Sequence, residues 1–365
     1  MTRIVLIGEA LGQEEVRTGA AFVGSSGGVL LKMLDEAAIL TLDHTDRSLL
    51  GQYYRTRNPK LNAKIWERHP DVHRTNVFNL HPEGNDLATL CGPKFLGLDD
   101  YPPLAKSKYV SRTYAPELAR LADELLAHNP NLVVCLGNTP LWALSGRIGI
   151  KKFRGTTFNS DHCVADFKCL ATYHPAYIIR QWRDRSIVIA DLIKAQREAH
   201  SPTIERPHHD IWIDPTLDDI AAFNAKYVNQ SRLLSVDIET SGQRVTCIGY
   251  GYSEVSIVVP FDDPRAAGRS YWPTLADERG AWQIIKRLLE DATVPKLFQN
   301  GLYDIAFLYR SMNIHVLGAS EDTMLAHHAL QPEMIKDLGF LGSIYTTEQT
   351  WKHLGKRAKT IKGDN

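Results

Sequence analysis

The stretch IVLIGEALGQEEVRTGAAFVGSSGGVLL, from Ile4 to Leu31, decides the fold of the first half of this chain. Ile4 to Ile7 is a run of branched apolar residues, the mark of a buried strand. The run stops at Gly8, and a carboxylate, Glu9, stands in the turn that follows. A Gly-rich segment, Gly24 to Gly28, then leads into Val29-Leu30-Leu31-Lys32-Met33-Leu34, which reads as a helix. Strand, glycine turn and helix in succession open an α/β sheet. A dinucleotide-binding unit would begin the same way, but its GxGxxG pattern is absent.

The alternation continues outward from this stretch. Asn76 to Asn79 reads as a second strand, ending in the turn His81-Pro82-Glu83-Gly84-Asn85. Pro116 to His128 places apolar pairs at helical spacing, and Asn131 to Gly137 is a third strand followed by a helix from Thr139 to Leu144. Cys169 to Thr172 is a fourth strand, running into HPAYIIRQW, and Arg185 to Ala199 closes the set as a helix. Residues 41–75 read as a loop-and-helix insertion, and residues 92–114 as an irregular excursion. Composition shifts at HSPTIERPHHD, His200 to Asp210, where prolines and polar residues predict a linker. The expected division is a first domain over residues 1–200, a linker over 201–215 and a second domain over 216–365.

That second part carries its own signature, LLSVDIETSG, from Leu233 to Gly242. Asp237 and Glu239 lie two apart on a predicted strand and therefore share a face. Strands at Val245–Tyr252 and Val255–Pro260 follow, then helices around Trp282 to Leu289, Leu302 to Tyr309 and Asp322 to Leu330. In LFQNGLYDIAFL, Asn300 and Asp304 are four apart on a predicted helix, again one face. Three carboxylates from a strand and a helix repel one another unless divalent cations sit among them, a donor set for Mg²⁺ or Mn²⁺ on a scissile phosphate.

Composition limits the rest. The 42 Lys and Arg balance 42 Asp and Glu, so contact with an anionic polymer must come from local patches and not from a global field. No apolar run has membrane-spanning length, and the start lacks the long apolar core of a signal peptide. The five cysteines form no CxxC pair, and Cys135 lies inside the apolar run LVVCLG. Reduced, mostly buried thiols and a cytoplasmic setting, in a bacterial or phage-infected cell, are the expectation.

The motifs of the first half, taken in order, resemble the family 4-type uracil-DNA glycosylases. The carriers are GEALG with Glu15 beyond it, AFVG before a Gly-led helix, NVFNLHPEGN, LVVCLGNTPLWALSG, FRGT, TYHPAYIIR and DLIKA. The resemblance implies a three-layer α/β/α domain that flips a damaged base out of DNA and hydrolyses its N-glycosidic bond. Phe22 would stack on the base, and the amide of Asn76 would read uracil. His174 would stabilise the leaving base, with Glu9 and Glu15 as carboxylates near the sugar and Asn85 as a further polar contact. Gly24 to Gly28 would offer backbone N–H groups to a phosphate, and Tyr177 to Arg180 would wedge into the stack. Two positions depart from the family. Its iron–sulfur cysteines are missing, with Leu80 where one is expected, so no cluster is expected and the loops must be held otherwise. Leu11 replaces a proline, which predicts a looser turn at Glu9.

DIET, NGLYD and the stretch DTMLAHHALQPEMIKDLGFLGSIYT resemble the 3′-to-5′ proofreading domain of family A, phage-like DNA polymerases. That implies a ribonuclease H-like α/β fold, a metal site on Asp237, Glu239 and Asp304, and partnership with a polymerase domain or replication proteins. The family's last carboxylate, in Y-x-x-x-D, is not found: Tyr345 is followed four residues on by Gln349. A truncated domain with weak or no exonuclease turnover is therefore expected. The alternative is a catalytically weakened DNA-binding module serving a polymerase.

Overall fold

A computed structural model describes residues 4–266 and 268–348. The polar tail Lys352 to Asn365 and Gln349 lie outside the described residues. The chain divides into two compact units, one reaching Glu205 and resuming at Gly342, the other spanning Arg206–Leu341.

The first unit is built on β1 (Ile4–Ala10), followed by α1 (Gln13–Thr18) and α2 (Ser25–Glu36). The insertion is two capped helices, α3 (His44–Thr56) and α4 (Pro59–Glu67). Asp43 and Asp46 close a capping box on α3, and Asn58 with Pro59 starts α4, so the polar composition marks helix ends more than loop. Then come β2 (Val72–Phe78) and, within the excursion, a small antiparallel pair, β3 (Cys91–Gly92) with β4 (Tyr109–Val110). Helix α5 (Ala115–His128), β5 (Leu132–Leu136), α6 (Asn138–Ser145) and the short α7 (Ile150–Phe153) follow. Strands β6 (Thr157–Asp161) and β7 (Ala165–Thr172) precede α8 (Pro175–Arg180) and α9 (Arg185–Glu198).

The sheet order is β2-β1-β5-β7-β6, parallel except for β6, which pairs antiparallel with β7. Helices cover both faces. Val5, Ile7, Val133 and Cys135 pack with Leu118, Leu121 and Leu125 of α5 and Trp142 of α6, while α9 lies against β5 and β7 and also contacts α2. This is the three-layer arrangement expected. The chain leaves β1 to β2 on one side and later returns to β5 on the other, so the order reverses beside β1. Ligands of open α/β sheets settle at the carboxyl ends of strands at such a reversal.

In the second unit a short strand, β8 (Asp210–Trp212), lies inside the stretch read as linker and pairs with β11 (Val255–Pro260). Helix α10 (Leu217–Tyr227) begins with a Thr216–Asp219 capping box. Strands β9 (Leu234–Ser241), β10 (Arg244–Gly251) and β11 form an antiparallel meander. Helix α11 (Leu275–Leu289), β12 (Lys296–Phe298), α12 (Gly301–Met312), β13 (Ala319–Asp322) and α13 (Thr323–Leu330) follow, and α14 (Leu338–Tyr345), which begins in this unit and runs past its last residue, Leu341, completes the described elements. The sheet order is β13-β12-β9-β10-β11-β8, with β12 parallel to both β9 and β13. This mixed α/β arrangement matches the ribonuclease H-like expectation. Strand β9 alternates strictly, with Leu234, Val236 and Ile238 buried and Asp237 and Glu239 on the open face. Asn300 departs from expectation: it is not on the helix with Asp304 but caps it at φ 61°, in the left-handed region that asparagine tolerates. Among the described residues no helix is long and apolar enough to cross a membrane.

Candidate functional site

Four of the side chains singled out from sequence gather at the carboxyl ends of the parallel strands. Asn76 is near the end of β2, and Gly8 and Glu9 are near the end of β1. His174 follows β7 by two residues and caps α8. Gly8 is the floor: a Cβ there would collide with Asn76 Oδ1 and come 2.6 Å from Phe22 Cζ, so only glycine lets the amide and the ring meet over the strand. The Phe22 ring lies 6.1 Å, centroid to centroid, from the imidazole of His174. Glu9 Oε2 accepts a 2.6 Å hydrogen bond from Thr139 Oγ1, two residues beyond Gly137, against which His174 packs.

Phe22 holds a left-handed φ of 55°, a conformation that bulky residues avoid at about 1–3 kcal/mol. Its surroundings over-determine it. Trp66 Nε1–H donates to the Phe22 carbonyl at 2.8 Å, and Gly27 is packed so close to that carbonyl that no side chain fits there. Asn62 Nδ2 ties down the next carbonyl, that of Val23, at 2.8 Å. The insertion thus supplies, from α4, the two side chains that fix the turn carrying Phe22.

The imidazole of His174 has a defined tautomer. Its Nδ1 accepts the backbone N–H of Ala176 at 3.1 Å, which places the proton on Nε2. Burial, with Arg180 adding to it, pushes the imidazolium pKa down to about 4, so the ring is neutral at physiological pH. Asn76 is 3% exposed, and among the described residues its side-chain amide has no hydrogen-bond partner. Its polar atoms are not among the sealed, unsatisfied ones, so the amide is open to a ligand with a matching edge.

Behind this site lies a group that the sequence reading quoted only as motifs. Asp191, in DLIKA, is fully buried and accepts from Arg154 Nε of FRGT at 3.0 Å and from Thr172 Oγ1 at 2.7 Å. Together they anchor the last residue of β7, two before His174.

Other expectations are corrected. The Gly24–Gly28 segment is not an open cradle: Gly24 N–H is taken by Glu15 Oε1 at 3.2 Å, and Gly28 N–H by the Gly24 carbonyl at 3.1 Å. The helix has already begun at Ser25, so its free first-turn donors are those of Ser25 to Gly27. Glu15 is buried in that tie. Tyr177 does not project as a wedge: its hydroxyl donates to Asp184 at 2.6 Å and its ring rests on Tyr173. Ile179 and Arg180 to Arg183 are exposed there. Asn85 is exposed, at φ 56°, in the turn beyond β2. The turn after Glu9 is not loosened by Leu11. Leu11 donates its N–H to the Leu80 carbonyl at 3.1 Å, a bond proline cannot make, and His81 Nδ1 donates to the Leu11 carbonyl at 2.7 Å.

In the second unit, Asp237 and Glu239 face Asp304 of α12. Burial, then Asp304 and Glu239, push the Asp237 carboxyl up to about 6. Burial also raises Asp304, although Ile238 N–H donates to its Oδ1 at 3.1 Å. Among the described residues neither Asp237 nor Glu239 has a cationic partner. A site of mutually repelling oxygens fits a hard divalent cation. A fourth carboxylate, Asp322, adds to the charge felt by Asp304 but is committed elsewhere, accepting the N–H groups of Gly301 at 2.8 Å and Met324 at 2.8 Å.

Comparison with known proteins places both units. Residues 1–195 match the uracil DNA glycosylase superfamily, and residues 214–354 match a 3′-5′ exonuclease family. The chain is similar to the type-4 uracil-DNA glycosylase of Thermotoga maritima, 29% identical over 204 residues, 53% of this chain and 77% of that protein. Among solved structures it is similar to Trypanosoma brucei RNase D in complex with GMP, at 14% identity and TM-score 0.33, covering 42% of this chain and 48% of that one. It is also similar to Brucella melitensis NrnC, at 18% identity and TM-score 0.25, covering 37% and 59%. The chain thus spans about half the length of these solved structures.

Proposed function

From the premise that the chain belongs to the uracil DNA glycosylase superfamily, we propose that its first unit is a hydrolase releasing uracil from DNA. The observation that carries this is the neutral, Nε2-protonated His174 beside Phe22 and the unpaired amide of Asn76. A uracil flipped into that space stacks on Phe22, while the amide donates to O4 and accepts from N3–H. Cleavage breaks the bond between N1 and C1′; its electron pair leaves with the base and spreads onto O2. His174 Nε2–H donates to that oxygen, and a donor of this kind contributes about 10²–10³ in rate. The neutral form suits the task because its hydrogen bond strengthens as the base gains charge. Glu9, held by Thr139 through one oxygen, leaves the other for the water that attacks C1′ and for the oxocarbenium character of the sugar.

The second unit would hold a divalent cation, Mg²⁺ or Mn²⁺, on Asp237, Glu239 and Asp304. When bound, that ion supplies electrostatic polarisation of a scissile phosphate. DNA is the substrate of both units in this reading, and a polymerase or its accessory proteins the partner.

The test is a single-turnover assay on a uracil-containing oligonucleotide. Abasic product that disappears in His174→Ala is expected; absence of product from the unaltered chain on both single- and double-stranded substrate overturns the reading.

A further inference from the structure

A further constellation lies on the outer edge of the first unit's sheet. His73 is on the edge strand β2, and Glu124 and His128 are four apart on α5, hence on one face of that helix. One ligand atom from each lies within 4.8 Å of the others. The two imidazoles stack at 3.7 Å between centroids, and His73 Nε2 is 2.6 Å from Glu124 Oε1. We infer that His73, Glu124 and His128 form a zinc-class metal site that pins the free edge of the sheet to the last turn of α5.

The donor set argues for the metal class. Two imidazoles and one carboxylate make a mixed nitrogen–oxygen set suited to Zn²⁺, which takes three protein ligands and a water. The surrounding bonds orient the ligands. Glu124 keeps its second oxygen occupied by Thr75 Oγ1 at 2.9 Å and Arg120 Nη1 at 2.6 Å, which turns Oε1 toward the histidines. Thr75 is two residues from His73, on the same face of β2. Arg120, which pairs with Glu124, is also balanced by Glu117 at 3.2 Å. The site also touches the base pocket indirectly. Arg120 reaches from Glu124 to the carbonyls of Asn76 and Val77, at 2.7 and 3.0 Å. Metal here would stiffen the strand end that carries Asn76.

The test uses the full chain, stripped of metal and dialysed against Zn²⁺ with a chromophoric chelator as competitor. To silence the nuclease carboxylates, the same titration is run on Asp237→Asn with Asp304→Asn. One equivalent of zinc is expected to survive in that double variant and to be lost in His128→Ala and in His73→Ala. His128 is exposed at the helix end, so its truncation leaves the fold intact even if His73→Ala does not. Co²⁺ in place of Zn²⁺ should give visible ligand-field absorption that His128→Ala abolishes, and Thr75→Val should weaken zinc about tenfold. Zinc that binds equally to His128→Ala, or no zinc retained against the chelator, overturns the inference. Neither outcome bears on uracil release, which is read separately.

Discussion

In the first unit, His174 sits neutral beside an aromatic ring, its tautomer fixed by a backbone N–H. In the second, Asp237 stands among Glu239 and Asp304 with its carboxyl pushed up to about 6 and no cation at hand among the described residues. In the proposed reactions the first arrangement needs no added ion, because it would stabilise a small charge developing on a planar base. The second would need one, because a phosphate cannot approach three carboxylates otherwise. On this reading one chain carries two ways of meeting an anion, a preorganised dipole and a bound cation.

The largest expected effect is on the first. His174→Ala should lower kcat for uracil release by about 10²–10³, with or without Mg²⁺, in a single-turnover assay. Because the imidazole titrates near 4, the His174-dependent share of the rate should stay level from pH 8 to pH 5. A rate that instead follows a group near 6.5 would show that the charged form is the working one. Phe22→Leu comes next. It keeps apolar volume but removes the stacking face, a loss of about 1–3 kcal/mol of base capture. It should appear in KM more than in kcat; a change confined to kcat would remove Phe22 from the binding step.

Asp237→Asn probes the other half and gives a smaller effect of opposite sign. The folded carboxyl titrates near 6, against 3.8 for its ordinary value, so the folded state binds more protons between those limits and stability falls as pH rises through them. Removing the charge should therefore raise the metal-free Tm at pH 8 and leave it unchanged near pH 3. Solvent screening at this exposed strand face holds the gain to about 1 kcal/mol, or roughly 2–4 °C. The same variant should lose the rise in Tm that Mg²⁺ gives the unaltered chain. An equal Mg²⁺ response in both would place the cation elsewhere.

Strand positions and the helices between them were legible because each rests on a local pattern: branched runs such as Leu132 to Leu136, and apolar spacing such as Leu118, Leu121 and Leu125. The pairing of β6 with β7 was not, since TFNSD carries little alternation and is held by its neighbour. The motif order named the residues that meet over Gly8. It could not give their partners, because Trp66 with the Phe22 carbonyl, and Arg154 with Asp191, join positions 37 to 44 residues apart. The glycine segment misled for a related reason. Gly24 to Gly28 suggested a phosphate cradle before the helix, whereas Gly27 is a helix residue that must be small to clear the Phe22 carbonyl. Glu124 and His128 were readable as a helical i, i+4 pair, but only the fold brings His73 to them.

The smallest effect concerns Leu11, where the two departures from the glycosylase family turn out to be neighbours. Leu11 replaces a proline and Leu80 stands at an expected cluster ligand, and their backbones are hydrogen-bonded to each other. With Leu80 where a thiolate was expected, this bond and the one from His81 tie the loop after β2 to the turn after β1. Leu11→Pro deletes the N–H donor, a loss of about 1 kcal/mol. Restriction of the unfolded chain returns about 0.4–1 kcal/mol where the backbone accepts proline. The net change in stability should therefore stay within about 1 kcal/mol. The sharper reading is a double-mutant cycle with His81→Ala. If the two bonds hold one loop, their removal should couple by at least about 0.5 kcal/mol, measured by urea unfolding. Strict additivity would mean that Leu11 and His81 act separately, and that the loop is fixed by something other than this pair.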